Sequence, residues 1–346
     1  MPQAQVRASV RPEALDFPLR LSNFMLAVTE SPVGILSKDA GMRRRLCGAL
    51  LFVLCAGLLL QGCRTERKST TPIVLTVTDD LGRRVSLSAP AANIISLAPS
   101  VTETLFAVGA GSEIAGVTNF CNYPPAALTK PRVGGIIDPN IEVIAGLQPD
   151  LIIMSVEGNR KEDFKRFEAL HVPVFVTNPR SIDGIFKSIR DLGTLTGRGH
   201  TADSLVAGLL KQRAHIDSLV RHAGRPTALI LISIHPLMAV TDRTFLGQLA
   251  REAGLDNIAA DLPGNYPIIS REEILRRGPE IIIGMTDTAP TLQALASAFP
   301  EWKGLRAVRS KSVYRIDPDL LTRPSARVIV ALDTLAHIVR GSAALN

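Results

Sequence analysis

The sequence contains few aromatic residues and few cysteines. Aromatic residues make up 4% of the 346 residues and hydrophobic residues 46%, so we expect a core built of aliphatic side chains. Three of the four cysteines, Cys47, Cys55 and Cys63, lie in one apolar N-terminal stretch, which leaves Cys121 alone in the rest of the chain. That part therefore cannot form an internal disulfide, and it has no Cys-x-x-Cys pair of the kind that binds zinc or exchanges electrons.

The chain also lacks a strong charge bias. Its formal net charge is +7, but residues 1–62 carry seven of the 39 basic residues and four of the 32 acidic ones, so the remainder has a net charge of only +4. Nucleic-acid-binding proteins usually carry a denser basic patch. We therefore predict no nucleic-acid partner.

No catalytic motif is recognisable. The sequence has no Gly-x-Ser-x-Gly nucleophile motif and no paired acid and base, and its six histidines do not cluster. These absences argue against an enzyme, and we predict no catalytic residue and no metal site.

The N-terminal stretch has the pattern of an export signal. A methionine and three arginines at 42–45 precede a short apolar run over residues 46–60, and Gln61-Gly62-Cys63 follows. Leu60-Gln61-Gly62-Cys63 resembles a bacterial lipobox, in which the cysteine is lipidated and becomes the mature N-terminus. An uncleaved membrane anchor and a genuine cytosolic extension are the alternatives.

A short pattern occurs twice in the remainder of the chain. Asn140 and Ser270 are N-cap residues by type, and each lies two residues before a glutamate, Glu142 or Glu272. A proline comes seven residues after each glutamate, and an acid and three aliphatic residues follow. Each copy predicts a short helix leading into a buried parallel strand. Two copies indicate two similar α/β lobes.

The other elements are consistent with this organisation. Apolar and polar residues alternate over residues 73–87 on both sides of an Asp-Asp-Leu-Gly turn, which predicts a β-hairpin. Ser100-Val101-Thr102-Glu103 predicts a capping box at the start of a helix. Residues 202–222 have apolar side chains at helical spacing and predict the connection between the lobes. We predict an over-called extension (1–41), a lipoprotein signal peptide (42–62), a tether (63–72), an N-terminal lobe (73–198), a connecting helix (199–223) and a C-terminal lobe (224–346).

Several motifs, taken in order, resemble the periplasmic substrate-binding proteins of ABC importers for cobalamin and ferric siderophores. The resemblance extends over roughly residues 73–340. The motifs are Ile95-Ser96-Leu97-Ala98-Pro99-Ser100-Val101-Thr102-Glu103, Gly116-Val117-Thr118-Asn119-Phe120-Cys121-Asn122-Tyr123-Pro124-Pro125, Val133-Gly134-Gly135, Leu147-Gln148-Pro149-Asp150-Leu151-Ile152-Ile153, Trp302-Lys303-Gly304-Leu305, Val313-Tyr314 and Arg323-Pro324-Ser325-Ala326-Arg327.

The resemblance implies a fold and a set of site residues. It implies two α/β lobes joined by one long helix, with the ligand in the cleft between them. Glu142 and Glu272 would each dock on an arginine of the permease dimer. His235 follows the predicted strand 228–234, where either ligand contact or strand-end packing explains it. The predicted ligand-binding residues are Pro99, Phe120, Ile136, Ser155, His235, Tyr266, Asp319 and Arg323.

The function implied is that of an exported, lipid-anchored binding protein, periplasmic or on the outer face of the cell membrane. It would be a monomer that captures a corrinoid such as cobalamin and delivers it to the permease dimer with its ATPase subunits. No intrinsic cofactor is expected. Ile136 and Ser155 stand where the cobalamin branch can have tryptophan. A ferric siderophore or haem is therefore the alternative ligand, and an enzyme acting on a tetrapyrrole or metal chelate is the alternative class.

Overall fold

The computed structural model describes residues 75–285, 295 and 298–343, and this part of the chain begins with a hairpin. Strands β1 (Leu75–Thr78) and β2 (Arg84–Leu87) pair antiparallel, as predicted. Asp79 closes the turn, because its carboxylate accepts hydrogen bonds from the backbone N–H of Leu81 at 3.0 Å and of Arg83 at 2.8 Å. The predicted signal peptide, tether and lipidation site at Cys63 lie outside the described residues.

The N-terminal lobe is built on a parallel sheet with the strand order β4-β3-β5-β6. Its strands are short aliphatic runs that are buried on both faces, as expected where helices cover both sides of a sheet. They are β3 (Ile94–Ser96), β4 (Ile114–Val117), β5 (Leu151–Ser155) and β6 (Val174–Thr177).

The C-terminal lobe has a related sheet with the order β11-β10-β7-β8, in which β9 also pairs with β7. Strand β8 runs antiparallel to β7, and the other pairings are parallel. The strand of the repeated pattern pairs in each lobe with the strand that comes first along the chain: β5 pairs with β3, and β10 pairs with β7. The strands are β7 (Thr227–Ile234), β8 (Leu237–Ala239), β9 (Asp256–Asn257), β10 (Ile281–Gly284) and β11 (Val313–Arg315).

Helices cover the sheets and connect the lobes. The described α-helices are α1 (Pro99–Ala107), α2 (Ile141–Gly146), α3 (Lys161–Ala169), α4 (Ile182–Leu195), α5 (Gly199–Val220), α6 (Phe245–Glu252), α7 (Arg271–Arg277), α8 (Arg306–Arg309), α9 (Pro318–Thr322) and α10 (Val328–Ala343). Short 3-10 helices span Pro125–Thr129 and Pro300–Gly304. The 22-residue α5 connects the lobes and packs against α4 of one and α10 of the other. The predicted fold class is confirmed, and the domain boundaries stay a prediction.

One apolar core extends through both lobes. Alternate residues of β5, such as Leu151 and Ile153, face this core together with Ile281 and Ile283 of β10. The residues between them face smaller clusters on the outer side of each sheet. Because the shared core includes side chains of α4, α5 and α10, the lobes are joined by packing as well as by the chain.

The repeated helix has the same caps in both lobes. The side chain of Asn140 accepts a hydrogen bond from the backbone N–H of Val143, and that of Ser270 from Glu273, both at 3.1 Å. The residue before each proline has a positive φ, 50° at Gln148 and 54° at Gly278. This prediction is confirmed, because caps and helix ends depend on residues close in sequence.

The predicted capping box at Ser100 is wrong. Helix α1 begins at Pro99, and its N-cap residue Ala98 has no side-chain hydrogen bond. Glu103 does not reach back to the helix start; its carboxylate is buried and binds Arg323, Arg327 and Ser325. Two arginines and a hydroxyl give a buried carboxylate stronger bonds than one backbone amide would.

Candidate ligand-binding cleft

A cavity of about 570 Å³ lies between the two lobes. On the N-terminal side it is lined by the segments that follow β3, β4, β5 and β6. On the C-terminal side it is lined by Asn265, Tyr266 and residues of α9 and the segment directly after it. Parallel α/β sheets bind ligands at the carboxyl ends of their strands because the loops of neighbouring strands meet there. The lining residues are Ala98, Pro99, Ser100, Phe120, Ile136, Ser155, Val156, Glu157, Gly158, Arg180, Asn265, Tyr266, Asp319, Thr322, Arg323 and Pro324.

Each lobe presents one aromatic side chain to the cavity. Phe120 is 57% exposed and Tyr266 is 44% exposed. Burial raises the pKa of the Tyr266 hydroxyl; Glu157 raises it further and Arg180 opposes the shift. The tyrosine is therefore neutral near pH 7 and can offer both an aromatic face and a hydroxyl to a ligand.

Two carboxylates and two guanidinium groups line the same cavity. The Arg323 guanidinium is 2.7 Å from the Asp319 carboxylate. It also donates a hydrogen bond to the carboxylate of Glu103, which does not line the cavity. Within the described part of the chain, neither Glu157 nor Arg180 forms a side-chain hydrogen bond or an ion pair. These two groups remain available to a ligand.

Asn159 holds the N-terminal wall in place. Its side-chain oxygen accepts a hydrogen bond from the backbone N–H of Ser155 at 2.7 Å. Its amide donates to the carbonyl oxygens of Ile136 at 2.8 Å and Leu97 at 3.0 Å. One side chain therefore ties together the loops after β3 and β5 and the segment around Ile136.

Seven of the eight predicted ligand-binding residues line this cavity. His235 does not: it is exposed in the turn between β7 and β8, where its backbone N–H donates to the hydroxyl of Ser233 at 3.2 Å. Sequence reasoning missed Glu157, Arg180 and Asn159. Glu157 lies two residues after β5 and Arg180 three residues after β6, so the rule that ligand sites lie at the carboxyl ends of parallel strands is a signal that could have found them.

Glu142 and Glu272 lie away from the cavity, exposed in the first turns of α2 and α7. Hydrogen bonds with its own backbone N–H and with Ser270 lower the pKa of Glu272. Glu272 is thus an ionised, solvent-facing carboxylate. The permease-docking role of the two glutamates stays a prediction.

Comparisons with known proteins identify the family. A model of the periplasmic binding protein family matches residues 94–320. The chain belongs to this family. It is 28% identical over 246 residues to the vitamin B12-binding protein of Pectobacterium carotovorum, covering 69% of this chain and 84% of the relative. It is 26% identical over 314 residues to the ABC transporter substrate-binding lipoprotein YvrC of Bacillus subtilis, covering 86% and 98% of the two chains.

Solved structures have the same fold as this periplasmic binding protein. The periplasmic vitamin B12-binding protein BtuF of Vibrio cholerae superposes with a TM-score of 0.66 at 25% identity, covering 73% of this chain and 98% of BtuF. The haem-binding protein RhuT of Roseiflexus sp. RS-1 gives 0.67 at 23% identity, covering 73% and 99%. The family is one of binding proteins.

The described residues contain neither a metal-binding cluster nor a membrane-spanning helix. Between residues 75 and 343, apart from the gaps, no three or more His, Cys, Asp and Glu side chains are grouped to hold a metal ion. In the same residues, no helix combines the length and the apolar character needed to cross a membrane.

Proposed function

We propose that this periplasmic binding protein is the substrate-binding component of an ABC importer and captures a corrinoid. The observation that carries the proposal is the cleft between the lobes, with one exposed aromatic side chain on each wall. Such faces suit a flat macrocycle, because aromatic rings gain most from large apolar surfaces. The relatives named vitamin B12-binding proteins support the same ligand class.

An acidic metal chelate such as haem or a ferric siderophore is the second candidate. The Arg180 guanidinium faces the cavity without an ion-pair partner among the described residues. Haem carries two carboxylates, whereas the side chains of a corrinoid end mainly in uncharged amides. A guanidinium binds carboxylates strongly and often through two hydrogen bonds.

A titration separates the two ligand classes. The full-length chain, purified in detergent, is titrated with cyanocobalamin, cobinamide, haemin and a ferric siderophore while absorbance is recorded. Saturable binding of a corrinoid at a one-to-one ratio is expected, and haemin binding without corrinoid binding would contradict the proposal. If none of the four binds, the importer function itself is in doubt.

Arg180→Gln sharpens this comparison. The substitution removes the charge and shortens the side chain but keeps a polar amide, so it should lower the affinity for an acidic ligand by about tenfold, the loss of a charge-assisted hydrogen bond. Corrinoid affinity should change by less than about twofold, as for most surface substitutions. His235→Ala is the matched control, because His235 is exposed but lies outside the cavity.

We propose that Glu142 and Glu272 dock on the permease. Both are exposed, both lie in a first helical turn, and they occupy equivalent positions in the two lobes. A permease dimer could meet each carboxylate with an arginine, and such exposed pairs mainly set orientation and association rate. Ligand binding should not depend on them, because neither residue lines the cavity.

We also propose that the protein is exported and held to a membrane through lipid on Cys63. The support is the order of a basic start, a short apolar run and Gly62-Cys63. The similarity to a protein named as a lipoprotein, over 86% of this chain, agrees with it.

A further inference from the structure

A buried ion cluster joins the two lobes beside the cleft. Its centre is Glu103 on α1, whose side chain is 2% exposed. One carboxylate oxygen, Oε1, accepts hydrogen bonds from Arg323 at 3.0 Å and from Arg327 at 2.6 Å. The other, Oε2, accepts from Arg327 at 2.9 Å and from the hydroxyl of Ser325 at 2.6 Å. Both oxygens of the carboxylate are therefore fully used.

The cluster is balanced in charge and is strongly directional. Asp319 adds a second carboxylate, 2.7 Å from Arg323, so two negative groups meet two positive ones. The bonds between Glu103 and Arg327 are parallel and bidentate, which limits the relative orientation of the two side chains. Arg327 also lies over the ring of Tyr123, at 4.2 Å from the ring centroid.

The partners come from opposite lobes. Helix α1 packs against the N-terminal sheet, whereas Arg323, Ser325 and Arg327 belong to the segment between β11 and α10 of the C-terminal lobe. Arg323 also donates to the side-chain oxygen of Asn122 at 2.6 Å and to the carbonyl oxygen of Phe120 at 3.3 Å. The cluster therefore joins the two lobes beside the cleft and reaches both of its walls.

Glu103 itself does not line the cavity, but Arg323, Asp319 and Phe120 do. Any influence of Glu103 on a ligand must therefore act through these groups. Without the carboxylate, the two guanidinium groups would repel each other and Arg323 would lose an anchor. Its contact with the backbone of Phe120 would loosen as well.

We propose that Glu103 is a positioning residue that holds the two lobes at one separation and keeps Arg323 and Phe120 at the cleft wall. The cleft is then already formed before the ligand binds, so no part of the binding free energy is needed to bring the lobes together. A preorganised site gains affinity because fewer groups have to be ordered on binding. A buried ion cluster suits this role, because its geometric demands select one arrangement of the lobes.

The test measures the distance between the lobes directly. Spin labels are placed at Lys165→Cys on α3 and at Lys303→Cys on the 3-10 helix Pro300–Gly304, both exposed and on different lobes. Cys121 is buried, so it should not take up label; Cys47, Cys55 and Cys63 are replaced by serine in every variant. Electron double resonance on the full-length chain in detergent then gives the distribution of label distances without any ligand.

Glu103→Gln should broaden this distribution and weaken the binding of the macrocycle found in the titration by at least tenfold. Asp79→Asn is the matched control, because Asp79 is a buried carboxylate paired with Arg83 at 2.5 Å inside one lobe. It should lower stability yet leave the distance distribution and the affinity unchanged. Ser325→Ala removes one hydrogen bond and no charge, and should give a smaller effect in the same direction as Glu103→Gln.

The distance measurement does not depend on the proposed ligand, whereas the affinity measurement rests on the proposed function. A single narrow distance in both Glu103→Gln and Ser325→Ala would overturn the inference, whatever the ligand proves to be. So would equal broadening in Asp79→Asn, since the effect would then follow from lower stability alone. If Glu103→Gln does not fold, Ser325→Ala and Arg327→Lys decide the question, because both keep the charges of the cluster.

Discussion

Removing the two aromatic side chains of the cleft should weaken macrocycle binding by a predictable amount. A phenylalanine has about 200 Å² of surface to bury, and Phe120 leaves 57% of its surface exposed. About 110 Å² is thus open to a ligand, and a flat ligand on one face covers about half of it. At about 25 cal/mol per Å² this contact is worth about 1.4 kcal/mol, or about tenfold in Kd.

The same reasoning applies to Tyr266. Its exposed fraction is 44%, so stacking on one face would contribute about 1.1 kcal/mol, or about sixfold in Kd. The two residues belong to different lobes and line the cavity from its two sides, so their effects should add. The double variant Phe120→Ala/Tyr266→Ala should then bind about 60-fold more weakly than the wild type.

Absorbance titration with cyanocobalamin and haemin measures these changes. Leu128→Ala is the control, because Leu128 is 59% exposed but does not line the cavity. Tyr266→Phe should retain the stacking contribution, so any loss of affinity in this variant measures the contribution of the hydroxyl alone. If both single alanine variants bind every tested ligand like the wild type, the ligand does not contact these rings and the assignment of the cleft is wrong.

Three further predictions concern other parts of the molecule. Cys63→Ser should abolish labelling with radioactive fatty acid and release the protein from membranes; unchanged labelling would refute lipidation. Glu142→Ala/Glu272→Ala should keep ligand affinity but lose association with the transporter in a pull-down, whereas Glu162→Ala, in the exposed first turn of α3, should not. Bonds with Arg276 and Arg277 lower the pKa of Glu273 to about 2, so its stabilising effect is fully present above its ordinary pKa of 4.5 and is lost as the pH falls through 2. The difference in urea midpoint between wild type and Glu273→Gln should therefore shrink between pH 6 and pH 2, and a constant difference would contradict this.

The sequence by itself determined most of the secondary structure. The strands β3, β5 and β10 are short aliphatic runs, which have few ways to be buried except in a covered parallel sheet. The caps at Asn140 and Ser270 involve partners three residues away, so local pattern was enough to place them. The family resemblance implied most of the residues that line the cleft, and their places agree with the rule that loops at the carboxyl ends of parallel strands meet at one edge.

Only the tertiary structure decided the partners of the charged groups that join the two lobes. Glu103 has the spacing of a capping residue, yet it pairs with Arg323, 220 residues away. Its local alternative is a weak bond at a helix end, whereas burial beside two arginines makes the distant bonds far stronger. The position of His235 outside the cavity and of Arg180 inside it likewise depends on where each loop turns after its strand. Such choices depend on the packing of the lobes against each other, which no local pattern in the sequence contains.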